Sequence, residues 1–249
     1  MAAVFVALAV AGLTGERLAV SVAPGLEDLD SEVRGLAGKL IAVVAVAGLI
    51  TRLGWWRHVG FVGPSQWRAP ALLLAPLLVA LAFLAVGVSA ADLSDPARLA
   101  LELPQPLLTG FWEETLVRGF LLHVLLLVAL RSGRGALGAV VASSVVFGLL
   151  HLINLVDAPP AAVASQVLYA TLFGVGFSAL LLRTNALPAL IVAYALINLG
   201  PALRAPGAAI AGDEFQLGAV IAFLPLAAYG VFLLQADGPA ESVARTDQG

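Results

Sequence analysis

Between Ala136 and Val156 the chain reads ALGAVVASSVVFGLLHLINLV, a stretch with no Asp, Glu, Lys or Arg. A helix needs about 20 mostly apolar residues to cross a bilayer. In lipid every backbone N–H and C=O must find its partner within the segment, so such a run has to be helical. Comparable runs recur at about Ala2–Ala23, Val33–Leu53, Pro70–Ser89, Leu107–Leu130, Ala161–Leu182, Leu187–Leu203 and Leu217–Gln235. The expectation is an all-α polytopic membrane protein with about eight transmembrane helices. Composition agrees: 61% of the 249 residues are hydrophobic and 12% charged, against roughly half and a quarter in a soluble domain.

The connections are short and leave no room for a soluble domain. The span at Ala2–Ala23 is interrupted by Thr14–Arg17, and the start lacks the positive n-region of a signal peptide. The tail from Asp237 to Gly249 is polar and reads as disordered. A net charge of −3 without a basic cluster argues against nucleic acid as a partner. The absence of cysteine excludes disulfide and thiol chemistry.

Basic residues set the orientation of short-looped membrane proteins. Arg52, Arg57 and Arg68 lie in one connection, Arg131 and Arg134 in another, and Arg183 in a third. The alternate connections hold most of the acidic residues, although one also carries Arg34 with Lys39 nearby. The arginine-bearing connections are therefore expected on the cytoplasmic side. With eight spans, both termini are cytoplasmic in a multi-pass protein of the cell membrane.

The fourth run breaks the apolar pattern with FWEETLVRGF, Phe111 to Phe120. A charge at the bilayer centre costs at least about 2.5–3.5 kcal/mol, so an ionisable group there is a functional hypothesis by default. Glu114 and Arg118 are spaced i, i+4 and share a helix face, where they can pair. Glu113 is turned about 100° from Glu114 and about 140° from Arg118, which leaves it without an obvious local partner. A carboxyl group held among apolar side chains has the profile of a general acid or base.

Other polar side chains fall at the same depth. Measured from the RSGR connection at 1.5 Å per residue, Glu113 lies about 27 Å along its helix and His151 about 24 Å along the next. Asn198 lies about 18–20 Å from the RTNA connection. All three belong to the half of the membrane opposite the arginines. Asn154, one turn from His151, is placed to orient its ring, and Gln166 sits near the same end of the sixth span. His123 has no partner at matching depth and reads as structural. His58, beside Trp55 and Trp56, reads as an interfacial anchor, and the GVG of the sixth span as a close-packing feature.

These residues fall in an order that resembles a known family. EETLVR at Glu113–Arg118 is similar to the EExxxR motif of the CPBP family, the CAAX-protease and bacteriocin-processing membrane proteins also called Abi. FGLLH at Phe147–His151 resembles its FxxxH motif. The segment around Tyr194 and Asn198 resembles the third region, where the family has HxxxN and this chain has tyrosine in place of histidine. The resemblance spans about Gln105–Leu203, a four-helix catalytic core. Residues 1–104 are then N-terminal transmembrane helices, 105–205 the core and 206–236 a last transmembrane helix.

The resemblance implies an intramembrane endopeptidase. In it Glu113 and His151 would activate a water, Asn198 would steady the oxyanion with help from the Tyr194 hydroxyl, and Arg118 would orient Glu114. Loss of one oxyanion donor typically costs about 10²–10³ in rate, which makes Tyr194 the departure that bears on activity. A catalytic zinc takes three protein ligands and keeps an open position. Glu113 and His151, with Glu114 beside them, are the available ligands. Tyr194 and Asn198 are poor ones, and there is no HExxH. A metal-free, glutamate-activated water is the favoured reading, with a divalent metal such as zinc on Glu113 and His151 as the alternative.

The expected partners are the lipid bilayer and a peptide or protein substrate in or at the membrane. A bacterial host would favour a leader peptide or membrane regulator over a prenylated tail. Two other readings stand beside proteolysis. One is a catalytically silent family member acting as a membrane scaffold or immunity protein. The other is a proton-coupled transporter using Glu113, although the chain shows no internal repeat of the kind many secondary transporters carry.

Overall fold

A computed structural model describes residues 31–62, 70–133, 135–156, 158–204 and 215–236. Among them every regular element is helical and no strand occurs. In chain order the helices are α1 Ser31–Leu53, α2 Leu74–Ser89, α3 Pro96–Glu102, α4 Gln105–Glu114, α5 Leu122–Arg131, α6 Ala136–Leu150, α7 Pro160–Thr184, α8 Leu187–Ala202 and α9 Leu217–Ala236. A 3-10 turn, Pro70–Leu73, leads into α2, and another, His151–Val156, follows α6. A π-helical segment, Thr115–Leu121, joins α4 to α5.

Five helical runs are long and apolar enough to cross a membrane: 32–53, 70–89, 136–156, 160–184 and 217–235. They correspond to five of the eight expected spans, and the chain is a membrane protein. Large apolar side chains are turned outward on them, among them Val44, Leu78 and Phe232 at 62–70% exposure, which is how a lipid-facing surface is made. The other three of the eight expected spans are not among these five. The expected fourth span is continuous in helix but is built as α4, a π segment and α5, and carries three charges. The expected seventh is the 16-residue α8, shorter than a full crossing. The expected first span and the expected disordered tail lie outside the described residues.

Helix ends follow local chemistry. Glu32 in the first turn of α1 and Arg52 in its last oppose the helix dipole. The chain then leaves through Gly54 at φ 66. Gly54 N–H donates to Thr51 O and Trp55 N–H to Ile50 O, each at 3.1 Å, a Schellman ending that the left-handed glycine permits. Asp95 caps α3 by accepting from Arg98 N–H at 3.0 Å. Helix α7 ends on Asn185, a left-handed residue whose N–H returns to Leu181 O.

The described residues form two compact units. The first holds 31–56, 77–116 and 188–204. In it α1 packs along α4, with Lys39 Nζ donating to Gln105 Oε1 at 2.5 Å. Helices α2 and α8 cross at Gly87 and Gly200 with their backbones in contact; a Cβ on Gly200 would stand 3.0 Å from Phe83 O. Arg98, 7% exposed, ties the end of α8 to the preceding loop. It donates to Arg204 O at 3.0 Å and Asp92 O at 2.8 Å, and pairs with Glu102 at 2.6 Å. In that loop the Ser94 side chain and backbone N–H hold the Asp92 carboxyl below the usual carboxylate range.

The second unit holds 57–62, 70–76, 117–187 and 215–236 within the described residues. Helix α7 lies at its centre, packed along both α6 and α9. Phe173, Phe177 and Phe223 stack through its middle. A Cβ on Gly230 would stand 2.9 Å from Gly176 Cα, so α7 and α9 touch through backbone. The Arg183 guanidinium donates to Leu233 O near the end of α9. The connection after α1 docks here as well: Leu187 N–H donates to Gly60 O, and the buried Val59 abuts Gly119.

Candidate active site

The site residues expected from sequence divide between the units, Glu113, Glu114, Tyr194 and Asn198 in the first and Arg118, His151 and Asn154 in the second, and all but the two asparagines are buried. In the first unit Glu113, 7% exposed, sits one residue before the end of α4. Its partner comes from 81 residues away: the Tyr194 hydroxyl donates to Glu113 Oε2 at 2.7 Å, with both residues buried. That distance suits a hydrogen bond to a carboxylate.

Gly110 makes the bond possible. It lies one turn before Glu113, where a Cβ would stand 2.9 Å from Ile191 O and 3.5 Å from Tyr194 Cδ1. The missing side chain lets α8 close on α4, so that the tyrosine ring rests over the glycine and its hydroxyl reaches the next turn. Small residues serve this purpose between membrane helices. Asn198, one turn beyond Tyr194, donates from Nδ2 to the Tyr194 carbonyl at 3.0 Å. Glu114 is fully buried on the neighbouring face.

In the second unit Arg118, 1% exposed, projects from the π segment. A π segment within a helical run turns its side chains away from α-helical register and is frequent at functional sites. The Arg118 guanidinium lies 4.1 Å from the centroid of the Phe147 ring and 5.1 Å from that of Phe173. Such cation–π contacts are worth about 0.5–2 kcal/mol and favour arginine over lysine.

Phe147 has a second role. Its carbonyl lies 2.9 Å from His151 Nδ1, and its ring meets the imidazole edge-on at 4.9 Å. A carbonyl only accepts, so Nδ1 carries the proton and Nε2 is the basic nitrogen. The motif spacing of four thus puts the histidine over the carbonyl of its own phenylalanine. This alters the expectation for Asn154. The ring is oriented by Phe147, while Asn154 donates to Gln166 Oε1 at 2.8 Å and links the 3-10 turn to α7. His123 meets His58 edge-on at 5.5 Å, a pairing across two elements that were expected to act separately.

Gly110 and Phe173 were missed in the sequence. A glycine three residues before a glutamate within an apolar run is the signal that could have marked Gly110. Nothing local marks Phe173, whose contact with Arg118 depends on how α7 packs. As for a metal, among the described residues no three His, Cys, Asp or Glu side chains come together as a ligand group. Zinc takes three such ligands at a catalytic site.

Residues 95–200 match a family described as type II CAAX prenyl endopeptidase Rce1-like. The match runs from the N-cap of α3 to Gly200 in α8, and takes in all three motif regions. No curated protein and no solved structure matches the chain.

Proposed function

We propose, from the match of residues 95–200 to the Rce1-like CAAX prenyl endopeptidase family, that the chain is an intramembrane endopeptidase in which Glu113 and His151 activate a water. The observation that carries this reading is the buried glutamate with a placed hydrogen-bond partner, since an acid or base needs an orienting contact before it can be efficient. Glu113 takes a proton from the water, which attacks the scissile carbonyl. His151, with Nδ1 committed to Phe147 O, takes the second proton of the attacking water on Nε2 and passes it to the leaving amine, while Glu113 gives the first to solvent. Asn198 donates to the oxyanion with its second amide hydrogen. Arg118, held against the Phe147 and Phe173 rings, orients Glu114.

The substrate is a peptide or protein in or at the membrane, entering between helices, and the chemistry runs without a metal. The site lies in the outer half of the cell membrane, with the arginine-bearing connections and both termini cytoplasmic. The test compares purified wild type with Glu113→Gln in detergent. Two sets of quenched fluorescent peptides are offered, prenylated at a C-terminal CaaX cysteine or unprenylated, with and without a chelator. Cleavage lost in Glu113→Gln and kept with chelator is the expected result. Cleavage that survives the substitution refutes the role of Glu113. Cleavage lost with chelator refutes the metal-free mechanism.

A further inference from the structure

Tyr194 stands where the family pattern has histidine, and the natural reading of its hydroxyl is as a substitute oxyanion donor. Its hydrogen bond argues otherwise. A phenol has one proton to donate, and in this structure it goes to Glu113 Oε2 at 2.7 Å. We infer that Tyr194 is a positioning residue for Glu113, anchoring the carboxylate through its O–H, and that Gly110 is the seat that brings it there. The inference rests on the proteolytic reading above.

Three features support it. The bond is buried at both ends, Glu113 at 7% and Tyr194 at 8% exposure, so water does not readily replace either partner. A carboxylate offers about four acceptor sites, so one bond from the phenol restrains its rotation without exhausting its capacity to take a proton from water. The tyrosine is itself fixed. Its ring lies against Gly110, and its carbonyl accepts from Asn198 Nδ2 at 3.0 Å. Glu113, Tyr194 and Asn198 are thereby linked in one line of contacts, in which the third-motif asparagine acts on the glutamate through the tyrosine. The position is thus adapted to a different task, and this chain's oxyanion stabilisation falls to Asn198.

The experiment has two arms on the full chain. In the first, kcat and KM of wild type and Tyr194→Phe are compared on whichever quenched fluorescent peptide the wild type cleaves, with thermal midpoints measured alongside. In the second, the three tyrosines are labelled with 3-fluorotyrosine. Their 19F resonances are recorded in wild type and Glu113→Gln, with Tyr194→Phe used to assign the Tyr194 signal. The expected result is a fall in kcat of about 10- to 100-fold, the worth of a hydrogen bond to a charged group, with KM little changed. The Tyr194 resonance is expected to move in Glu113→Gln while the other two stay.

An oxyanion donor would lower kcat in the same way, but its resonance in the resting protein would not respond to Glu113→Gln. That outcome overturns the inference and leaves proteolysis standing, as does wild-type kcat in Tyr194→Phe. If Tyr194→Phe fails to fold, the Glu113→Gln spectrum decides, the moving signal being assigned with Tyr169→Phe and Tyr229→Phe. If the wild type cleaves none of the peptides, the proteolytic reading falls and the inference with it.

Discussion

At the scale of single residues the protein depends on buried polar groups whose partners are supplied by packing. Truncating His151 removes an imidazole already oriented by Phe147 O, and positioned acid–base groups contribute about 10²–10⁴ in rate. His151→Ala and Glu113→Ala should each lower peptide cleavage by at least about 10²-fold, measured as initial rates with thermal midpoints as a folding control. Phe147→Leu keeps the carbonyl and loses the ring. It should cost about 0.5–2 kcal/mol from the Arg118 contact alone, read by thermal unfolding in detergent. An unchanged midpoint would show that Arg118 does not draw stability from the ring.

At the scale of elements, close helix approach is the governing device. Gly87 and Gly200 let α2 and α8 touch through backbone, and any Cβ at Gly87 falls inside the Gly200 backbone. Overpacking of this kind costs about 1–3 kcal/mol. Gly87→Val should therefore lower the thermal midpoint, while Gly48→Val, where a Cβ meets nothing within 4 Å, should leave it nearly unchanged. Gly110→Ala is a different case. Its clash is with Ile191 O at 2.9 Å, and it should cost more activity than stability, because a small separation of α4 from α8 is enough to break the bond from Tyr194 to Glu113. Equal losses in the two would contradict a seat built for Tyr194. The π segment adds to this picture. It follows Glu114 directly and carries Arg118, and such segments are frequent at functional sites.

At the scale of the whole molecule, the absence of cysteine lets orientation be tested by single substitutions. Ser132 and Ser94 are exposed, the first after α5 and the second before α3. Single Ser132→Cys and Ser94→Cys chains should label from opposite faces with a membrane-impermeant maleimide, Ser132→Cys from the cytoplasmic face. Labelling of both from one face would overturn the assignment made from the arginines.

What the sequence determined by itself follows from short-range rules. Apolar run length and the need to satisfy every backbone group imply an all-helical membrane protein. The cost of charge in lipid singled out Glu113, Glu114 and Arg118, and the motif spacings pointed to His151, Tyr194 and Asn198. Each of these depends on composition or on neighbours within one or two turns. What only the tertiary structure decided is which of these groups touch. The partner of Glu113 lies 81 residues away, reached because Gly110 allows α8 to close on α4. The phenylalanines around Arg118 come from two later helices. Hydrogen bonds and ring contacts reach only a few ångströms, so their partners depend on helix crossing and rotation. No local pattern encodes those, because they are settled by how side chains from distant segments fill the space between helices.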